Sequence, residues 1–395
     1  DARDPLSPGG RYLTFDANHD GERALAAAYD PGQQLLRGRI AFHQDWSKVP
    51  VGRHGVAAGP AFDATACSTC HVETASRQPS LQAPLVARTT WRQHQLTYGE
   101  QINLHHVESP AVSVVDIDYE TVAFRYPNGD ERELRKPVAH ARLGDQRIPV
   151  SLRAAPLLFG WGLIEHADRE IIRHFDDPDD RNGDGISGRM VRSASVDRRA
   201  ESRLGFLGWK SAHASLEEQI GAALANDMGV LSRAICANCL EEISAGDLRA
   251  LTEFVSHIGV PERRAQVSRR GQDLFGLTGC SDCHIPALLT NEDAPPAFAR
   301  QLIWPYSDLM LHDLGEGLAD AGDLADRREW RTAPLWGIGI VERRYPERGF
   351  LHDGRARTVE EAILWHGGEA GMARQRFVDL DETDRALLLG FVRSR

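Results

Sequence analysis

The feature that most constrains this chain is a pair of matching turns, Cys67-Ser-Thr-Cys70-His71 and Cys280-Ser-Asp-Cys283-His284. Thiols three residues apart on one helical turn can both form thioethers to the vinyl groups of a porphyrin, and the adjacent histidine then lies beneath the iron as its axial ligand. All six cysteines fall in Cys-x-x-Cys pairs, and two of the three pairs run directly into histidine. With 16 histidines in 395 residues, that coincidence is improbable by chance. The motif therefore predicts two covalently bound haem c groups, attached at Cys67/Cys70 and Cys280/Cys283, with His71 and His284 on the irons. The competing reading is a redox dithiol or a shared four-cysteine zinc site. Cys236-Ala-Asn-Cys239-Leu240 lacks the histidine, and three readings stand for it: a local disulfide, a reactive dithiol, or a third haem with a distant ligand.

The surroundings of the two motifs repeat. Arg37-Gly38-Arg39-Ile40-Ala41-Phe42 precedes the first, and Arg270-Gly271-Gln272-Asp273-Leu274-Phe275 the second. After each comes a helix-start signal with an acidic residue three positions on, Ser244/Asp247 and Asp381/Asp384, leading into apolar residues at helical spacing. These end at Phe254-Val255 and Phe391-Val392. The predicted fold is mainly α, with two cytochrome c-like domains. The first spans residues 1–260 and is enlarged by an insertion with a small β element. The second spans 261–395, after Gly259-Val260-Pro261 ends the first closing helix. The β element is expected from residues 113–126, which alternate and run into the turn Pro127-Asn128-Gly129-Asp130.

Composition narrows the partners. A net charge of −11 speaks against nucleic acid or an anionic membrane surface. No apolar run reaches the roughly 18–20 residues that span a bilayer. The chain begins at Asp1 without a methionine, which reads as a processed, secreted form.

The C-terminal third carries a family resemblance. Arg331-Thr332-Ala333-Pro334-Leu335-Trp336, then Phe350-Leu351-His352-Asp353-Gly354 and Thr358-Val359-Glu360-Glu361-Ala362, resembles the bacterial di-haem cytochrome c peroxidases and the enzymes that mature methylamine dehydrogenase. Residues 306–320, together with Phe206-Leu207-Gly208-Trp209-Lys210, Asn226-Asp227-Met228-Gly229 and Asp179 through Arg189, are similar to the bacterial di-haem oxidoreductases, also called thiol oxidoreductases with two cytochrome c sites. This resemblance implies a periplasmic peroxidase-like oxidoreductase in which the second haem relays electrons to a reactive first haem. Its donor would be a small cytochrome or cupredoxin and its oxidant hydrogen peroxide. At the position where the peroxidases hold a methionine ligand this chain has His366, which implies His284/His366 ligation of the second iron. Met372, His312, His352 or an open site are the alternatives.

Other assignments by analogy are looser. Glu100 and Gln101 are candidates for the polar pair beside the reactive iron, with His43, His54, Arg92, His94, His105 and His106 as further distal candidates. Trp336 is the candidate bridge between the haems. Asp180, Asn182 and Asp184 form a calcium-like loop, and Asp16-x-Asn18-x-Asp20 a weaker second; an Asx-rich turn is the alternative for each. An electron carrier without turnover, or an oxidase acting on a partner protein's side chain, are the rival functions.

Overall fold

The computed structural model describes residues 14–15, 32–49, 61–71, 85–89, 101–103, 105–106, 115–143, 146–193, 203–236, 241–263, 268–322 and 324–395. Its organising feature is the same helix crossing built twice. Helix α1 (Gln33–His43) crosses α3 (Ala245–Ser256), α2 being the intervening Leu216–Met228. Helix α4 (Arg269–Leu277) crosses α7 (Glu382–Arg393). Between those two lie α5 (Val359–Trp365) and α6 (Gly371–Asp379).

Each residue of the repeated Arg-Gly-x-x-x-Phe element has one task in its crossing. The arginine reaches the acidic residue in the first turn of the partner helix: Arg37 Nε to Asp247 Oδ1 at 2.6 Å, and Arg270 Nη2 to Asp384 Oδ2 at 2.5 Å. Those acids belong to capped starts, where Ser244 Oγ accepts from Asp247 N and Asp381 Oδ1 from Asp384 N. The glycine lets the backbones touch. A Cβ at Gly38 would sit 1.9 Å from Ala250 O, and one at Gly271 would sit 2.3 Å from Leu387 O. The phenylalanine then meets its counterpart, Phe42 to Phe254 and Phe275 to Phe391, both at 5.2 Å between ring centroids.

Much of the rest is not helical, and the expected fold class needs correcting. Among the described residues the strands fall into seven small sheets, none wider than three strands. What recurs is a helix crossing embedded in a mixed α and β chain, not a pair of all-α cytochrome c-like domains in a mainly α protein. The physical reason is that most of these strands are two to four residues long and pair across large sequence distances, as Ala61-Phe62 does with His105-His106. Such pieces carry no readable period of two. The hairpin was legible, but it is longer than expected. Strands β1 (Val115–Arg125) and β2 (Glu131–Leu143) pair along their length, and β3 (Gln146–Pro149) adds an edge.

Three apolar clusters hold the chain together. One surrounds Phe42, Trp161, Phe254 and Trp336, and includes Leu288, Phe298 and Met310 from beyond residue 261. A second surrounds Phe275, Trp330, Phe377 and Phe391 and reaches back to Tyr126. The third fills the base of the hairpin around Ile102, Ala141 and Leu152. Among the described residues no helix is long and apolar enough to cross a membrane.

Candidate functional site

Behind each Cys-x-x-Cys-His turn lies a cavity. The first, of about 210 Å³, is lined by Cys67, Cys70 and His71. The second, of about 410 Å³, is lined by Cys280, Cys283 and His284. Both histidines are fixed in the same way. His71 Nδ1 lies 3.1 Å from Pro156 O, and His284 Nδ1 lies 2.8 Å from Tyr306 O. A carbonyl only accepts, so Nδ1 carries the proton and Nε2 keeps its lone pair for a metal. The crossing helices also set the rings. Phe42 stands 6.3 Å from His71, and Phe275 stands 6.4 Å from His284.

The thiols bear on two alternatives. All four are free, and burial pushes Cys67 and Cys70 up to about 12 and raises Cys280 and Cys283 as well. A reactive dithiol needs the opposite shift. The two pairs open into separate cavities, so four cysteines do not converge on one zinc ion. A porphyrin with two vinyl groups and an iron fits this donor set at each cavity. Cys236 is disulfide-bonded, and Cys239 lies outside the described residues.

The second cavity contains two candidate sixth ligands. His366 follows the last turn of α5 and donates Nδ1–H to Ala362 O at 2.6 Å, which leaves its Nε2 available in the same manner as the other two histidines. Met372 lines the same cavity from α6, yet is 63% exposed at its mouth. The remaining alternatives lose their force. His312 has both ring nitrogens occupied, Nε2 by Asp308 Oδ2 at 2.9 Å and Nδ1 by Glu369 Oε2 at 2.8 Å. Burial works against its charge, but these carboxylates with the Cys283 sulfur hold the imidazolium up to about 12. His352 lies face to face on Trp330 at 3.5 Å, buried and pushed down to about 3 by desolvation, and is absent from both cavity walls.

The first cavity differs from expectation. Glu100, His54, Arg92 and His94 lie outside the described residues. Of His105 and His106 only the backbone is described. His43 packs on Phe42 and Phe254 rather than facing the cavity. Gln101 is buried, but its amide is turned to Asp63 Oδ2 and Asp227 Oδ1, both at 2.7 Å. Of these two carboxylates Asp227 lines the cavity, and burial raises its pKa above the ordinary carboxylate value. Arg88, Arg153, Lys210 and His213 share that wall. Asp227 and Lys210 stood in the quoted Asn-Asp-Met-Gly and Gly-Trp-Lys stretches, but nothing in those residues alone pointed to a cavity.

The two cavities share a wall. Ala154, Ala155, Pro156, Trp161 and Trp209 line both. Three consecutive carbonyls of this wall are held by side chains: Ala154 O by Trp209 Nε1 at 2.9 Å, Ala155 O by Arg348, and Pro156 O by His71. Trp336, the candidate bridge, is buried and lines the second cavity but not the first.

In the calcium-like loop the side chains are engaged with the turn itself. Asp180 accepts from Gly185 N, Asn182 Oδ1 from Asp184 N, and Asp184 Oδ1 from Ile186 N. The Asp16 to Asp20 loop lies outside the described residues.

Residues 242–395 match the family model described as "Di-haem oxidoreductase, putative peroxidase". The match covers the second motif, both candidate sixth ligands and the Asp308–His312–Glu369 cluster, and bears out the family resemblance. No curated protein and no solved structure matches the chain.

Proposed function

We propose that this chain, whose residues 242–395 match the di-haem oxidoreductase family model, is a periplasmic di-haem c peroxidase-like enzyme. It would take electrons from a small cytochrome or cupredoxin at the second site and reduce hydrogen peroxide at the first. The observation that carries the reading is the matched geometry of His71 and His284. Each has Nδ1–H held by a backbone carbonyl and stands beside two free, half-buried cysteines at a cavity wall.

Haem bound there supplies one-electron redox chemistry and, where the sixth position can open, activation of peroxide. The chain's own part follows from its residues. Cys67, Cys70, Cys280 and Cys283 would supply the covalent links, and His71 and His284 would each offer Nε2 to hold the group. His366 would offer a second nitrogen at the second site. Arg88 gives Asp227 a positive neighbour at the first cavity, while Arg153 and Lys210 on the same wall pair with Asp320. Asp227 is the group that holds and moves a proton there, with Gln101 Nε2 fixing Oδ1 so that Oδ2 is left for the exchange. Trp209 and Trp161, in the shared wall, are the aromatic side chains through which charge crosses between the sites.

The test is low-temperature electron paramagnetic resonance of the ferric and half-reduced protein, with peroxide turnover measured beside it. A high-spin, cyanide-binding component and turnover are expected. Asp227→Asn should lower turnover about 100-fold or more, the usual contribution of a positioned acid–base group. Two low-spin signals in every redox state and no turnover would make the protein an electron carrier instead. A stable oxidised side chain on a partner protein would favour the maturation-type activity.

A further inference from the structure

The turn that carries His366 is short and rich in glycine, so something must decide which of two flanking side chains faces the second cavity. His366 is followed by Gly367 and Gly368, then Glu369, and three residues later by Met372. Gly368 has φ of +53°, and a Cβ there would fall 2.1 Å from Asp313 O. The backbone of this turn therefore lies directly on the strand at residues 311–313.

Glu369 is where the turn is tied down. Its Oε1 accepts from Ser187 Oγ at 2.7 Å and Asp313 N at 3.2 Å. Its Oε2 accepts from Ser187 N at 3.0 Å and His312 Nδ1 at 2.8 Å. Four donors from two separate segments thus converge on one carboxylate. His312 is itself fixed at its other nitrogen by Asp308, whose second oxygen caps Met310 N at 2.9 Å. The ring is 3% exposed. Charge-assisted bonds of this kind are the strong ones, and this set anchors the turn between the two candidate ligands.

We propose that Glu369, braced by His312, is a positioning residue that selects His366 over Met372 as the sixth ligand of the second site. With the carboxylate held, the turn keeps His366 at the cavity wall and α6 keeps the Met372 thioether at the mouth. With it released, the two glycines give the turn enough freedom for the thioether to enter. The inference rests on the His284/His366 reading above, and the two can fail separately.

The experiment uses the holoprotein with both haems attached. Wild type is expected to show a bis-nitrogen low-spin signal from the second site and no thioether-to-ferric charge-transfer band in the far red. Glu369→Ala should lose the greater part of that signal. In its place should come a thioether band or a high-spin signal, with a higher reduction potential, since a thioether favours the ferrous state. Adding Met372→Leu to Glu369→Ala should remove the thioether band. His312→Gln should give the same change in weaker form. Should Glu369→Ala not accumulate as folded holoprotein, Glu369→Gln carries the same expectation, because its amide N–H would face the His312 N–H. An unchanged spectrum and potential in these variants overturns the selection role. A thioether band in wild type that vanishes in Met372→Leu overturns the His366 assignment instead.

Discussion

Trp209 donates its indole N–H to Ala154 O at 2.9 Å, two residues before Pro156, whose carbonyl fixes His71. One three-residue wall therefore positions His71 and an aromatic ring that borders both cavities. Replacing Trp209 with Phe leaves a buried carbonyl without its donor, at a cost of about 1–3 kcal/mol. Inter-site electron transfer, followed after photoreduction, should slow markedly in Trp209→Phe. Trp336→Phe should leave that rate nearly unchanged, since Trp336 does not border the first cavity. Equal effects of the two substitutions would remove Trp209 from the path.

The helix crossings predict a paired stability effect. Gly38→Ala and Gly271→Ala each drive a methyl group into a backbone carbonyl of the partner helix. Each should cost about 1–3 kcal/mol as an overpacked contact. Denaturant titration checks this, and the visible spectrum should report the disturbed site on the same side of the molecule. Insensitivity at either position would mean the backbones are not in contact there.

Acid stability should depend on Asp320. Burial alone would raise its pKa, but Arg153 at 2.7 Å and Lys210 at 3.3 Å outweigh that and hold it below its ordinary value of 3.8. A depressed carboxylate contributes stability that is complete above about pH 4 and is lost as pH falls through its lower, folded value. Asp320→Asn should be destabilised at neutral pH by a few kcal/mol, on the order of 3–5, because it leaves the buried Arg153 uncompensated. Its stability should also fall less steeply than wild type below pH 4. Parallel acid titrations of the two would contradict the pairing.

Covalent attachment can be counted directly. Cys67→Ala/Cys70→Ala should yield a protein carrying one haem by intact mass, with the second site's spectrum preserved. Cys280→Ala/Cys283→Ala should give the converse. Retention of two haems in either variant would overturn the assignment of that pair.

The sequence by itself determined the two matching Cys-x-x-Cys-His turns and the repeated helix pair, because each is a short-range pattern whose chemistry is local. Thiols one turn apart, a histidine beside them and a capped amphipathic helix mean the same thing wherever the chain goes. It also picked out His366, Met372 and His312, which line one cavity. What it could not decide depended on which distant segments meet. The sheets form from strands too short to show a period, so the fold class was misjudged as mainly α. Gln101 was a candidate for the polar pair beside the first site, but only the tertiary structure shows its amide turned toward Asp63 and Asp227. It likewise puts Asp227 rather than Gln101 on the cavity wall, and Trp209 rather than Trp336 between the cavities. Spacing along the chain fixes which groups can attach a cofactor; the packing of remote segments fixes which groups surround it.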